Sequence, residues 1–266
     1  MLWRILDAYG GSLPKESFVL FANTGKERDE TLNFVYDVEI NFRVKIYWLE
    51  YVEKGNIRGR VIYKVVDHET AHRTNAPNSP FEKLIGEMRV LPNPRARNCT
   101  KQLKIMTMRS FLADIGWNED FHRFSAIGIR ADESHRVIQI AADCPKFITP
   151  VFPLVDSGVT EKDVLGFWKA QTFDLGLMSH EGNCDLCFLK AKHKLINIIK
   201  KRPQLADWWI AMEKVKSPQG GNGNRFRDDR TYEGLYYQAN VRMLFDDIED
   251  DISCGCISGV GDWSDT

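Results

Sequence analysis

The chain has 266 residues, 43% apolar and 27% charged, enough to close a sizeable core and typical of an ordinary globular protein. Lys plus Arg number 36 against 37 Asp plus Glu, a net charge of -1, so no global field selects nucleic acid or an anionic membrane as partner. No window approaches the roughly 18 consecutive apolar residues of a membrane-spanning helix, and the start, Met1-Leu2-Trp3-Arg4-Ile5-Leu6, lacks the pattern of an export leader. The expectation is a cytoplasmic protein with no membrane partner, whose six cysteines are metal ligands, redox groups or core residues before they are disulfides.

Leu2 to Tyr9 reads as a short helix ended by Gly10-Gly11, and Ser17 to Ala22 as an apolar run of strand length. Asn23-Thr24-Gly25-Lys26-Glu27 follows at once, and a helix begins at Asp29 with acids in its first turn. A strand that runs into a polar, glycine-containing turn and then a helix is where open α/β sheets hold ligands. A plain connecting turn is the competing account. Val44 to Leu49 and Gly59 to Asp67 read as further strands, the second at an edge. The alternation predicts an α/β fold: a mainly parallel sheet with helices on both faces.

His68-Glu69-Thr70-Ala71-His72 matches the H-E-x-x-H zinc pattern, which needs a helix to bring both imidazoles to one metal. Asn75, Pro77, Asn78 and Pro80 follow closely, so these residues are expected in a loop leading to a helix at Phe81 to Ile85. A helical pattern then runs from Cys99 to Ile115. Arg97, Lys101 and Lys104 near Cys99 favour a thiolate or an anionic ligand, or are solvated charges beside a buried thiol.

Phe124 to Arg130, with Gly128 within it, reads as a strand ending in a cation. The planar guanidinium of Arg130 suits bidentate contact with phosphate or sulfate, and an ion pair with Asp132 or Glu133 is the alternative. Thr160 has the position of a helix N-cap, with Glu161 and Asp163 in the first turn. Cys184-Asp185-Leu186-Cys187 places two sulfurs where they can share one metal or form a disulfide. The following run carries Lys190, Lys192, His193, Lys194, Lys200, Lys201 and Arg202, either a solvated face or a nucleic-acid contact. Pro203 starts another helix, and a last one is expected from Tyr232 to Phe245. An acidic run and Cys254-Gly255-Cys256 close the chain.

Taken in order, Asn23-Thr24-Gly25 with Glu30-Thr31, the Cys99 segment with Lys104, and Gly128-Ile129-Arg130 with Asp132-Glu133-Ser134 form a series. It continues with Pro153-Leu154-Val155-Asp156, Asp163-Val164 and Cys184-Asp-Leu-Cys187. This series resembles the phosphoadenosine phosphosulfate reductase family, among the PP-loop adenine-nucleotide enzymes, over about residues 15 to 190. The resemblance implies an adenine nucleotide α-hydrolase-like domain over 1–180 and a helical, cysteine-containing region with an acidic tail over 181–266. It implies that Thr24, Gly25, Lys104, Gly128 and Arg130 line a site for an adenine nucleotide or sulfonucleotide, used in reduction or sulfur transfer.

The chain departs from that family in three places. No S-G-G-x-x-S phosphate loop occurs, and Leu2 to Leu6 matches the helix that follows it, so the chain is expected to start just past the loop and to bind nucleotide weakly or not at all. The C-terminal E-C-G-x-H segment that carries the family's nucleophilic cysteine is replaced by Ser253-Cys254-Gly255-Cys256. In the adenosine phosphosulfate branch a Cys-Cys pair and a later C-x-x-C hold a [4Fe-4S] cluster. Cys99 and Cys184 stand 85 positions apart in that arrangement, with Asn98 in place of the pair's other cysteine. Cys99, Cys184 and Cys187 carry over, and Cys254 or Cys256 is the candidate fourth ligand. Zinc is the competing metal, buried thiols without metal the third account, and Cys144 a core residue. Two further functions share these residues: an ATP-pyrophosphatase-type enzyme in thiolation or modification of nucleic acid, and a non-catalytic binding module with a structural metal. Nucleic acid or a sulfur-donor protein are the corresponding partners.

Overall fold

The computed structural model describes residues 1–57, 59–117, 120–178, 181–182, 184–215 and 225–242. The chain divides into two units, 1–87 with 99–176, and 88–98 with 177–266. It is a mixed α/β protein, and among the described residues no helix is long and apolar enough to cross a membrane.

The first unit opens with α1 (Leu2–Ala8) and β1 (Val19–Asn23), followed by α2 (Asp29–Phe42), β2 (Ile46–Lys54) and β3 (Val61–Val66). β1 and β2 are parallel, with Val19 opposite Ile46 and Asn23 opposite Glu50. β3 is antiparallel to β2, so this sheet of order β1-β2-β3 is mixed rather than wholly parallel. The reason lies in the connection: only Gly55 to Arg60 separate β2 from β3, too few for the crossover a parallel partner requires. β2 is buried from Trp48 to Tyr51, as the central strand should be.

α2 starts with Asp29 and Glu30 in its first turn and ends where Arg43 turns left-handed, at φ 50°. It lays Leu32 and Val38 into a core shared with Leu6, Val44, Ile46, Trp48 and Ala71, with Phe34, Phe42, Trp168 and Phe173 packed around it. Each such aliphatic side chain contributes about 1.5–3 kcal/mol by burial.

α3 (Pro80–Met88) is followed by a π-helical stretch, Cys99–Met106, which continues as α4 (Thr107–Asp114). Thr107 donates its hydroxyl to the Gln102 carbonyl five residues back, satisfying an acceptor that the wider turn frees from the α ladder. β4 (Arg123–Ala126) and β5 (Ile148–Val151) form a second, parallel pair joined through α5 (His135–Asp143). The expected strand to Arg130 therefore stops at Ala126. α6 (Pro153–Asp156) and α7 (Glu161–Lys169) complete the unit, and Thr160 with Asp163 forms the capping box at the start of α7.

The second unit contains the C-x-x-C turn, α8 (Lys192–Lys201), α9 (Ala206–Lys214) and α10 (Tyr232–Arg242). α8 buries Leu195, Ile196, Ile198 and Ile199 and leaves its cations toward the surface. Trp209 of α9 stacks on Tyr232 of α10 at 4.9 Å and meets Phe226 edge-on at 4.7 Å.

Candidate functional site

The polar turn after β1 is built almost wholly from buried side chains. Thr24, Lys26, Glu27 and Arg28 are each no more than 2% exposed. Charged groups are rarely buried so deeply unless paired, and here each meets a polar or charged neighbour. The Glu27 carboxylate accepts from the Thr24 amide at 2.7 Å and its hydroxyl at 2.6 Å, and Lys104 reaches it at 3.5 Å. Lys26 Nζ donates to Asn75 at 2.9 Å, Thr74 donates to the Glu27 carbonyl at 2.6 Å, and Arg28 pairs with Glu30 at 3.2 Å.

Gly25 sits at φ +75°, and a Cβ there would stand 2.7 Å from that of Ser79. Only glycine lets the turn pass so close to the start of α3, whose Phe81 amide donates to the Thr24 carbonyl at 3.0 Å. Thr24, Gly25 and Lys104, expected at the nucleotide, are thus brought together at the carboxyl edge of β1.

Among the described residues, Gly128 and Arg130 take no part in that turn's hydrogen bonds and ion pairs. Arg130 binds Asp132 in bidentate fashion, at 3.1 and 3.0 Å, with Glu133 at 3.7 Å and Glu161 at 3.8 Å. The guanidinium holds the Asp132 carboxyl below its usual range, and the bond to Asp132 raises Arg130 in turn. Three carboxylates occupy the fork that an anionic ligand was expected to use, so the ion-pair alternative describes this residue. Gly128 lies past the end of β4, with Met1 as its near neighbour.

Sequence reasoning passed over Glu50. It is fully buried, and its carboxylate accepts from Asn23 Nδ2 at 2.6 Å, the His72 amide at 2.7 Å and His72 Nδ1 at 2.6 Å, with Lys64 Nζ at 3.0 Å. Strand register explains the gathering: Asn23, Glu50 and Lys64 are direct neighbours across β1, β2 and β3, on one face of the sheet. The legible signal was a glutamate inside the apolar run Ile46 to Tyr51.

His68 and His72 take separate partners. His68 Nε2 meets Asn33 at 2.7 Å, and residues 67–70 form a turn in which Asp67 accepts from the Glu69 and Thr70 amides. Without a helix the two imidazoles do not converge, which removes the H-E-x-x-H zinc reading.

Cys99, Cys144, Cys184 and Cys187 are each half-buried. Cys99 opens the π-helical stretch of the first unit, and Cys184 and Cys187 lie in a turn of the second. That turn is pinned through its peptide groups. Asp185, fully buried, accepts from the Leu186 amide at 2.6 Å and from Trp209 Nε1 at 3.0 Å. Lys190 donates to the Cys184 carbonyl at 2.6 Å, Arg227 to the Phe188 carbonyl at 2.6 Å, and Tyr232 to the Leu186 carbonyl at 2.5 Å. Burial, with the nearby Cys187 and Asp185, pushes the Tyr232 hydroxyl well above its usual range, so it remains a donor. Among the described residues no group of three or more His, Cys, Asp or Glu side chains is arranged to hold a metal. Cys254 and Cys256, the candidates for a fourth ligand, lie outside the described residues.

No family model matches the chain, and no solved structure matches it. It is 26% identical over 189 residues to the "Uncharacterized nin region protein ORF290" of Escherichia phage lambda, an overlap of 68% of this chain. The chain spans 59% of the length of that curated relative, whose name states no activity.

Proposed function

We propose that this chain is a sulfonucleotide-reductase-like protein of the PP-loop kind, taking an adenine nucleotide with its phosphate or sulfate at the carboxyl edge of β1. The observation that carries this reading is the Thr24–Arg28 turn. A parallel strand pair delivers a buried, fully organised polar turn to the edge where α/β sheets hold ligands, with α2 starting directly after it. In this reading the sheet belongs to a mainly parallel fold with helices on both faces. Thr24 and Gly25, both buried, shape the backbone of the turn beneath the nucleotide, and Lys104 supplies positive charge. Rigid placement by Glu27, Ser79 and Phe81 limits the ordering that binding would otherwise cost.

The proposed cofactor is a [4Fe-4S] cluster, with zinc as the competing metal, toward which the second unit supplies Cys184 and Cys187. Such a group, when bound, orders the site and tunes its field. The chain's own contribution is the pinned C-x-x-C turn, which holds the Cys184 and Leu186 peptide groups in place. The surface cations of α8 favour a second reading, in which ATP is split to adenylate a nucleic-acid acceptor for thiolation.

The test is a calorimetric and NMR titration with adenosine 5′-phosphosulfate, its 3′-phosphorylated form and ATP. The leading reading expects a sulfonucleotide to bind more tightly than ATP, and Lys104→Ala to weaken it about tenfold. Preferred ATP binding, with pyrophosphate release when nucleic acid is added, replaces it with the second reading. No binding of any of the three at millimolar concentration overturns both.

A further inference from the structure

The Glu50–His72 pair has no role in the reading above. Glu50 already accepts from three nitrogen donors besides the imidazole: Asn23 Nδ2, the His72 amide and Lys64 Nζ. A carboxylate so surrounded acts as an acceptor, so the 2.6 Å contact to His72 Nδ1 requires Nδ1 to carry the hydrogen. The ring is thereby oriented, which leaves Nε2 available for a further contact. Nε2 makes no hydrogen bond among the described residues, and the His72 side chain retains 19% of its exposure.

His72 is also coupled directly to the Thr24–Arg28 turn. The Asn23 side chain donates to the His72 carbonyl at 2.9 Å, while its oxygen accepts from the Gly25 amide at 3.1 Å. The segment that His72 opens lies against the same turn, through Thr74 to the Glu27 carbonyl and Asn75 to Lys26. Thr31, in the first turn of α2, adds a buried hydroxyl with no hydrogen-bond partner among the described residues.

We propose that His72 is an anion-contacting, proton-carrying residue of this site, oriented by Glu50 so that Nε2 meets a phosphate or sulfate oxygen of the bound nucleotide. A backbone-anchored imidazole suits that task because it can accept a proton from a protonated oxyanion or, once protonated, donate a charge-assisted hydrogen bond to it. The inference rests on the nucleotide reading and extends it to a residue outside the resemblance.

The experiment is long-range 1H–15N NMR on protein labelled at its six histidines, with His72 assigned through His72→Asn. The ring is expected in its Nδ1-protonated form, and its Nε2 resonance should move when adenosine 5′-phosphosulfate or ATP is added. His72→Asn, whose side-chain amide stands at the Nδ1 position and can still donate to Glu50 while Nε2 is lost, should weaken both nucleotides about tenfold with little change in the urea midpoint. A ring protonated on Nε2 alone, or an Nε2 resonance that stays still while nucleotide binds, overturns the inference and leaves the nucleotide reading standing. Absence of nucleotide binding by the parent protein removes both.

Discussion

The turn after β1 and the C-x-x-C turn are both held by buried polar side chains, yet in different ways. In the first, two carboxylates gather the donors: Glu50 has four nitrogen contacts, and Glu27 holds Thr24 and Lys104. In the second, Asp185, Tyr232, Lys190 and Arg227 bind mostly peptide groups around the cysteines. A network of this kind fixes the backbone of the turn while Lys104 and His72 stay partly exposed, and suits a ligand that is recognised by charge. A turn pinned through its backbone sets where two thiols stand and suits a ligand that the sulfurs themselves bind.

The largest expected effect sharpens that contrast in chemistry. Protein purified without oxygen should contain iron and acid-labile sulfide, and Cys184→Ser should lose both while keeping its fold, because Fe–S clusters need their thiolate set. Elemental analysis with an absorption spectrum decides it. Zinc instead leaves a structural thiolate site, and no metal in the parent leaves the pair as buried thiols.

The next effect concerns packing. Trp209→Ala removes the stack on Tyr232, the edge contact with Phe226 and the donor to Asp185, and should cost about 3–5 kcal/mol in urea unfolding. Trp209→Phe keeps most of the aromatic volume and isolates the hydrogen bond, with an expected loss of about 1–3 kcal/mol. Equal losses in the two variants would show that the donor to Asp185, not the ring, holds the turn.

The smallest effects are in pH dependence, and they have opposite signs for carboxylates held by a donor and for one raised by burial. Asp132 and Asp163 are held below the usual carboxylate range, by Arg130 and by the Thr160 hydroxyl respectively. A depressed folded-state value means that their contribution is present above the unfolded value and is lost as pH falls through the folded one. Burial raises Glu213 of α9, despite backbone donors at Tyr232 and Phe226. Its contribution is greatest at low pH and declines as pH rises through the ordinary carboxylate range toward its raised folded value. Thermal melts between about pH 3 and 7 should therefore show a shallower acid limb for Asp163→Asn and the reverse change for Glu213→Gln. Parallel changes in the two variants would contradict this assignment of signs.

Much of the fold was legible locally. The apolar run before Asn23, the acids at Asp29 and Glu30 and the cap at Thr160 mark elements within a few residues of themselves. The turn that joins Thr24 to Gly25 was legible for the same reason. The antiparallel course of β3 required attention to a short connection, and the early stop of β4 is a matter of pairing, since β5 reaches only from Ile148 to Val151. β5 and α5 were not anticipated, because a four-residue strand and a helix with no buried residue leave little periodicity to detect.

What the sequence by itself determined is therefore short-range: the order of most elements, their caps, the spacing of Cys184 and Cys187, and the absence of a long apolar span. The tertiary structure decided which polar groups meet. Asn23 and Glu50 are 27 residues apart, and Glu50 and His72 are 22 apart. They become neighbours only through the register of β1 on β2 and the return of the chain after β3, because a shift of one residue would turn each side chain to the other face. The same dependence assigned Arg130 to Asp132, Glu133 and Glu161, a choice among partners that spacing alone left open.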